Sequence, residues 1–148
     1  MDCETGEIEE IELPPLTLAE QKQALRDRIN ARRDACFAEG FIVSGSGTAL
    51  DGKVLQVRGV EDRTNWLVSQ GNYDRAIENG LGAVLGADFR TADNITITVT
   101  FAQGLSILTS MALWAKDVMG NSWVLKDAVE AAPDQTALDA IDDEAGWP

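Results

Sequence analysis

Histidine is absent from this 148-residue chain, and that absence closes most familiar routes to catalysis. Without imidazole there is no Ser-His-Asp relay, no Cys-His pair and no histidine-ligated metal. Cysteine is nearly as scarce. Cys3 and Cys36 stand at a spacing that matches no metal-binding or redox motif, and Cys36, in a helical pattern beside Phe37, reads as a core thiol. No apolar run approaches the roughly 18 residues that a membrane span needs. The acidic start lacks the basic and then apolar profile of a signal peptide. The chain is therefore expected to be made, and to stay, in a cytoplasm or in a particle assembled there, with no membrane partner. Only four prolines and 45% apolar residues mark a globular composition, and the length suits one domain with a sizeable core. No cofactor and no metal is assigned. A carboxylate-only Mg²⁺ or Ca²⁺ site stays open, but no Asp-x-Asp-x-Asp-Gly loop is present to build it.

Basic residues are missing from both ends. Residues 1–15 carry six carboxylates and no base, and residues 127–148 carry seven and no base. The stretch between them holds twelve acids against twelve bases, so the net charge of −13 belongs wholly to the ends. A neutral body with two acidic ends either repels its neighbours or meets a basic partner. With no surplus basic patch to neutralise phosphates, nucleic acid is not an expected partner.

What is present reads as an α+β domain over residues 17–148, preceded by an extended acidic arm over residues 1–16. Thr17 and Glu20 fit a capping box, and the spacing predicts a long helix to about Glu39, stopped by Gly40. Its apolar seam (Leu18, Leu25, Ile29, Cys36) suits either its own sheet or a contact between chains. Apolar, β-branched runs at 41–43 and 54–57 flank a Gly-rich loop at 44–53 and predict a β-hairpin. A weaker helix follows at 61–79. Residues 89–92 and 95–99 flank Asp93-Asn94 and predict a second hairpin with a two-residue turn; the two hairpins together would form one small antiparallel sheet. Thr100 and Gln103 form a second capping box and open a long C-terminal helix, with a kink expected at residues 120–122. That helix is apolar on two sides. One row is Leu105, Leu108, Ala112, Ala115 and Met119; the other is Ile107, Met111, Trp114, Val118 and Leu125. Both must be buried, by the chain's own elements or by a second subunit.

Several motifs weaken on inspection. Residues 47–53 match a phosphate-binding P-loop up to Lys53, but Val54 replaces the Mg²⁺-binding Ser or Thr, and a strand rather than a helix follows. A flexible hairpin tip accounts for the glycines. Carboxylate pairs such as Asp142-Asp143 lie in charge-dense, solvated ends, whereas catalytic pairs need burial to separate their pKa values. Trp66, Trp114 and Trp123 fall in helical patterns and read as core. Trp147, beside a terminal Pro148, is expected to dock in a groove, its own or a neighbour's. The candidate interface residues are thus Leu105, Leu108, Ala112, Ala115, Met119 and Trp147. Glu7, Glu9, Glu10 and Glu12 form a candidate partner-binding arm, for which a plain solubility tail is the alternative.

Taken in order, Asn30-Ala31-Arg32-Arg33-Asp34, Glu39-Gly40-Phe41, Glu61-Asp62-Arg63-Thr64-Asn65-Trp66, Arg90-Thr91-Ala92-Asp93-Asn94, Leu125-Lys126-Asp127-Ala128 and the closing Gly146-Trp147-Pro148 form a pattern. It resembles a phage domain-of-unknown-function family found in tail-fibre and tail-fibre-assembly proteins of bacteriophages and prophages. The resemblance covers residues 18–148. The chain departs from it in a Gly-rich segment at 71–88 and in a longer hairpin loop. The resemblance implies a non-enzymatic structural component of a virion tail: a fibre, a fibre-anchoring module or a tail-tip protein. Its implied partners are other tail proteins and itself, as a cyclic homo-oligomer with a trimer favoured. A tail-fibre assembly chaperone, absent from the finished particle, is the alternative. The family supplies no catalytic residues to carry over.

Overall fold

Thr17 opens the first helix, as its hydroxyl suits it to do. In the computed structural model, which describes Gly6 and residues 13–148, that hydroxyl accepts from the Glu20 N–H at 3.2 Å, and α1 runs over Leu18–Glu39. Only the hydroxyl half of the expected capping box forms; Glu20 returns no bond to Thr17. Gly40 stops the helix at φ 88°, donating to the Cys36 carbonyl at 3.3 Å. A side chain there would be doubly opposed. The positive φ strains any L residue, and a Cβ would stand 2.7 Å from Val54 Cγ1 and 2.8 Å from the Leu55 carbonyl oxygen.

The chain then forms β1 (Phe41–Ile42), β2 (Val54–Leu55), α2 (Val60–Glu78), β3 (Leu85–Arg90), β4 (Thr96–Thr100), α3 (Phe101–Ala131) and α4 (Gln135–Asp139). The architecture is α+β. Both hairpins are antiparallel, with Phe41 opposite Leu55 and Phe89 opposite Ile97. They make two separate two-stranded sheets instead of one, because β1 and β2 are too short to offer a free edge ladder. One backbone bond, from Ala92 N–H to the Val54 carbonyl at 2.8 Å, ties them together. The β3–β4 turn holds three residues, not two. Thr91 N–H donates to the Ile95 carbonyl at 2.9 Å, and Asn94 takes φ 68°, the left-handed position that closes a three-residue loop. Beyond it Ile97 and Val99 turn inward while Thr96 and Thr98 face solvent.

At 31 residues, α3 is ~46 Å long and serves two cores. Its complete capping box (Thr100 with Gln103) starts it against the hairpins, where Ile107, Leu108 and Met111 pack with Val43, Leu55, Phe89 and Val99. Its far end meets α1 and α4, burying Leu25, Ile29, Val129, Ala132 and Leu138 together. The α1 seam is therefore covered by this chain's own α3 and α4, not by its sheet. α3 stays helical through residues 120–122. Ser122 is fully buried, with its hydroxyl donating to the Met119 carbonyl at 2.7 Å, and the Asn121 side chain reaches the Ala145 carbonyl at 3.0 Å. Small polar residues here let the chain's C-terminal segment approach the helix.

Candidate functional site

The second apolar row of α3 faces inward, with Ile107, Met111 and Val118 all buried. The first row divides. Leu105 packs on the hairpin core and Leu108 is only 2% exposed. Ala112, Ala115 and Met119 instead line an open groove between α1 and α2. One stretch of the groove, about 200 Å³, is walled by Trp66 and Leu67 of α2 and floored by Leu108, Met111 and Ala112. The other, about 640 Å³, runs on past Met119 to Trp123 and is bordered by Arg33 and Asp34 of α1. Both share Phe37, Arg63 and Ala115, so they form one trough along about four turns of α3.

Aromatic packing sets the walls. Phe37 meets Trp114 edge-on at 5.7 Å, and Trp66 stacks on Phe89 at 5.6 Å, which fixes both side chains from behind. Trp66 Nε1 donates to the Gln56 carbonyl at 2.8 Å. Arg63 spans the junction of the two stretches, its guanidinium 5.1 Å above the Phe37 ring, a cation–π contact that leaves its N–H groups free to turn outward. Arg33 is paired with the adjacent Asp34 at 2.8 Å. Among the described residues, Arg63 and Lys116 have no carboxylate partner. The trough is thus apolar along its floor and basic at its rim. Its far end corrects one expectation: Trp123 is 56% exposed, because α3 extends past α2 at that level and none of the described residues covers the indole.

The loop at 44–53 is closed to an anion. The Asp51 carboxylate accepts from the Ser46 N–H at 2.9 Å, the Ser46 hydroxyl at 2.6 Å and the Gly47 N–H at 3.0 Å. It fills from within the amide cradle that a phosphate would need, and those bonds, the Ser46 hydroxyl first, hold its pKa below the usual carboxylate value. Lys53 is committed to Asp93 at 2.9 Å, and Asp93 is likewise lowered, first by the Thr91 hydroxyl and then by Lys53. Leu50 anchors the loop at 0% exposure, so this is a pinned turn rather than a flexible tip. Two carboxylates held toward ionisation are poor general acids.

The acidic C-terminal segment meets the arginines of α1. Arg26 pairs with Glu130 at 3.0 Å, Arg28 with Asp143 at 3.2 Å and Arg32 with Glu144 at 3.3 Å. Trp147 packs on the core shared by α1 and α4, with Nε1 donating to the Asp143 carbonyl at 2.9 Å. Its groove is the chain's own, one of the two that the sequence allows. Burial pushes the Cys36 thiol up, in keeping with an inert core position. Among the described residues no cluster of His, Cys, Asp or Glu could hold a metal ion, and no buried side-chain polar atom lacks a partner. Glu7, Glu9, Glu10 and Glu12 lie outside the described residues.

Sequence reasoning found the floor of the trough but missed its wall and rim: Phe37, Arg63, Leu67 and Lys116. The signal for the α2 wall is the spacing of Arg63, Leu67 and Gln70, which sets them on one helical stripe. A comparison with curated proteins and one with solved structures each return no match. A family model does match, over residues 20–145, nearly the whole of the described domain. The chain belongs to the family described as Domain of unknown function (DUF4376).

Proposed function

We propose that this chain is a non-enzymatic docking domain that helps build a bacteriophage tail, as a structural component of the virion working through protein–protein contacts. The observation that carries the docking role is the trough. It is an apolar channel left open along α3 and walled by Trp66 and Leu67, with two cations at its rim that no described carboxylate satisfies. Interfaces are built from such surfaces: rigid aromatic walls, an apolar centre and Arg at the edge. The tail assignment rests on the resemblance to tail-fibre and fibre-assembly proteins. Within it the domain would hold other tail proteins and copies of itself in a cyclic array, which places it in the virion after synthesis in the host cytoplasm.

Purified particles of the phage or prophage that carries the gene provide the test. Quantitative mass spectrometry is expected to find the chain in a fixed ratio to the major tail protein, retained through high-salt washing. Its presence in lysate but absence from particles would transfer the role to an assembly chaperone. Presence in neither tail intermediates nor particles would overturn the tail assignment altogether.

A further inference from the structure

We propose that the trough receives the acidic N-terminal arm of a second copy of this chain, specifically the segment from Glu7 to Leu13. The inference rests on the docking role above and names the occupant. Charge is the first observation. The trough carries Arg33, Arg63 and Lys116 against the single acid Asp34, while the segment Glu7-Ile8-Glu9-Glu10-Ile11-Glu12-Leu13 carries four glutamates and no base. Opposed patches of this kind steer and register an encounter. Apolar content is the second. Ile8, Ile11 and Leu13 interleave with those glutamates, as an apolar floor between basic rims requires.

Length is the third. From Leu108 to Trp123 the trough follows α3 for ~22 Å at the helical rise of about 1.5 Å per residue. Seven residues of extended chain cover ~23 Å.

Reach keeps Leu13 of the chain's own arm out of the trough, whereas a second copy can seat the whole segment. Arg33, at the near end of the trough, lies ~22 Å along α1 from Leu18. Leu13 is five residues before Leu18 and so stays within ~17 Å of it however the chain is drawn out. The segment therefore cannot lie in its own trough with Leu13 seated. An arm passed from each copy to the next is a heterologous contact, the kind that closes into a ring.

Lys116 permits a direct test with the unmodified chain. A zero-length carbodiimide joins a carboxylate to an amine that touches it. The reaction is run on an equal mixture of ¹⁴N- and ¹⁵N-labelled full-length protein at 50 mM salt and analysed by mass spectrometry. The expected products join Lys116 to Glu7, Glu9, Glu10 or Glu12 in mixed-isotope pairs. Arg63→Glu should reduce their yield at least tenfold, and adding Glu9→Lys with Glu10→Lys to that variant should recover the Lys116 products at the remaining carboxylates, Glu7 and Glu12. A thermal melt of Arg63→Glu matching the parent separates lost docking from lost folding. Same-isotope products alone would assign the trough to the chain's own arm and overturn the exchange. Absence of Lys116–arm products would overturn the arm as occupant while leaving the particle measurement, and the docking role, to stand separately.

Discussion

Leu108 and Ala112 stand one turn apart on α3, in what the sequence presents as a single apolar row, and the structure gives them opposite duties. Leu108 is 2% exposed and packs within the hairpin core; Ala112 is open to solvent in the trough. Leu108→Ala removes three buried carbons, a transfer loss of ~2.4 kcal/mol at about 0.8 kcal/mol per methylene. The cavity left between α3 and the hairpins raises this to ~3 kcal/mol or somewhat more. For a chain of this length that corresponds to a fall of ~10 °C in Tm. Ala112→Lys places a flexible cation where there is room for it and should change stability by no more than ~0.5 kcal/mol, yet it should abolish docking by filling the trough. Urea unfolding followed by tryptophan fluorescence measures the first effect, and light scattering of the assembled protein measures the second. If Leu108→Ala cost under ~1 kcal/mol, or Ala112→Lys unfolded the chain, the division of the row between core and trough would be wrong.

Gly104 sits where α3 crosses β3, and a Cβ there would stand 2.7 Å from the Ala87 Cβ and 3.1 Å from Tyr73 Cε2. Gly104→Ala should therefore destabilise by about 1–3 kcal/mol despite the helix-propensity gain of about 1 kcal/mol, and a raised Tm would refute the close crossing. The Asp51 pKa is lowered in the fold, so the stability it contributes is present above the unfolded carboxylate value, ~3.9, and is lost as pH falls through the folded value. An acid titration of Asp51→Asn should show a shallower loss of stability below about pH 4 than the parent, and identical curves would contradict the loop bonding. Trp147→Ala removes the indole that joins the C-terminal segment to the α1–α4 core. Amide exchange over residues 140–148 should accelerate at least tenfold while Val118 stays protected, and uniform acceleration would mean that the segment is part of the global fold.

The elements legible in the sequence are those set by local chemistry. Thr17 and Thr100 announced helix starts because a hydroxyl before an apolar repeat satisfies amides that have no other partner. Gly40 announced a stop because the left-handed conformation costs glycine nothing. The alternation at residues 95–99 puts Ile95, Ile97 and Val99 on one inward face because strand side chains alternate by geometry; Ile97 and Val99 are covered, while Ile95, beside the turn, is 45% exposed. Where the reading failed, the deciding partner was distant in the chain. Asn94 makes a three-residue loop through bonds between Thr91 and Ile95, and the hairpin loop is pinned by Leu50 entering a core assembled from four other elements. Trp123 stands nine residues beyond Trp114, on about the opposite side of α3, and only Trp114 meets Phe37 and Phe41.

Charge shows the same division. That both ends are acidic and the middle balanced is a property of composition, and it holds in any conformation. That the C-terminal acids settle on Arg26, Arg28 and Arg32 depends on α3 running back along α1. The sequence by itself determined three helices and two hairpins, their order and the apolar rows of α3, because each is specified by residues within a few turns of one another; the short α4 was not among them. Only the tertiary structure decided where the first row passes from core into trough. Periodicity states that a face is apolar, whereas burial depends on how far the neighbouring helices extend, and α2 covers α3 at Leu108 but leaves Ala112 and Trp123 open.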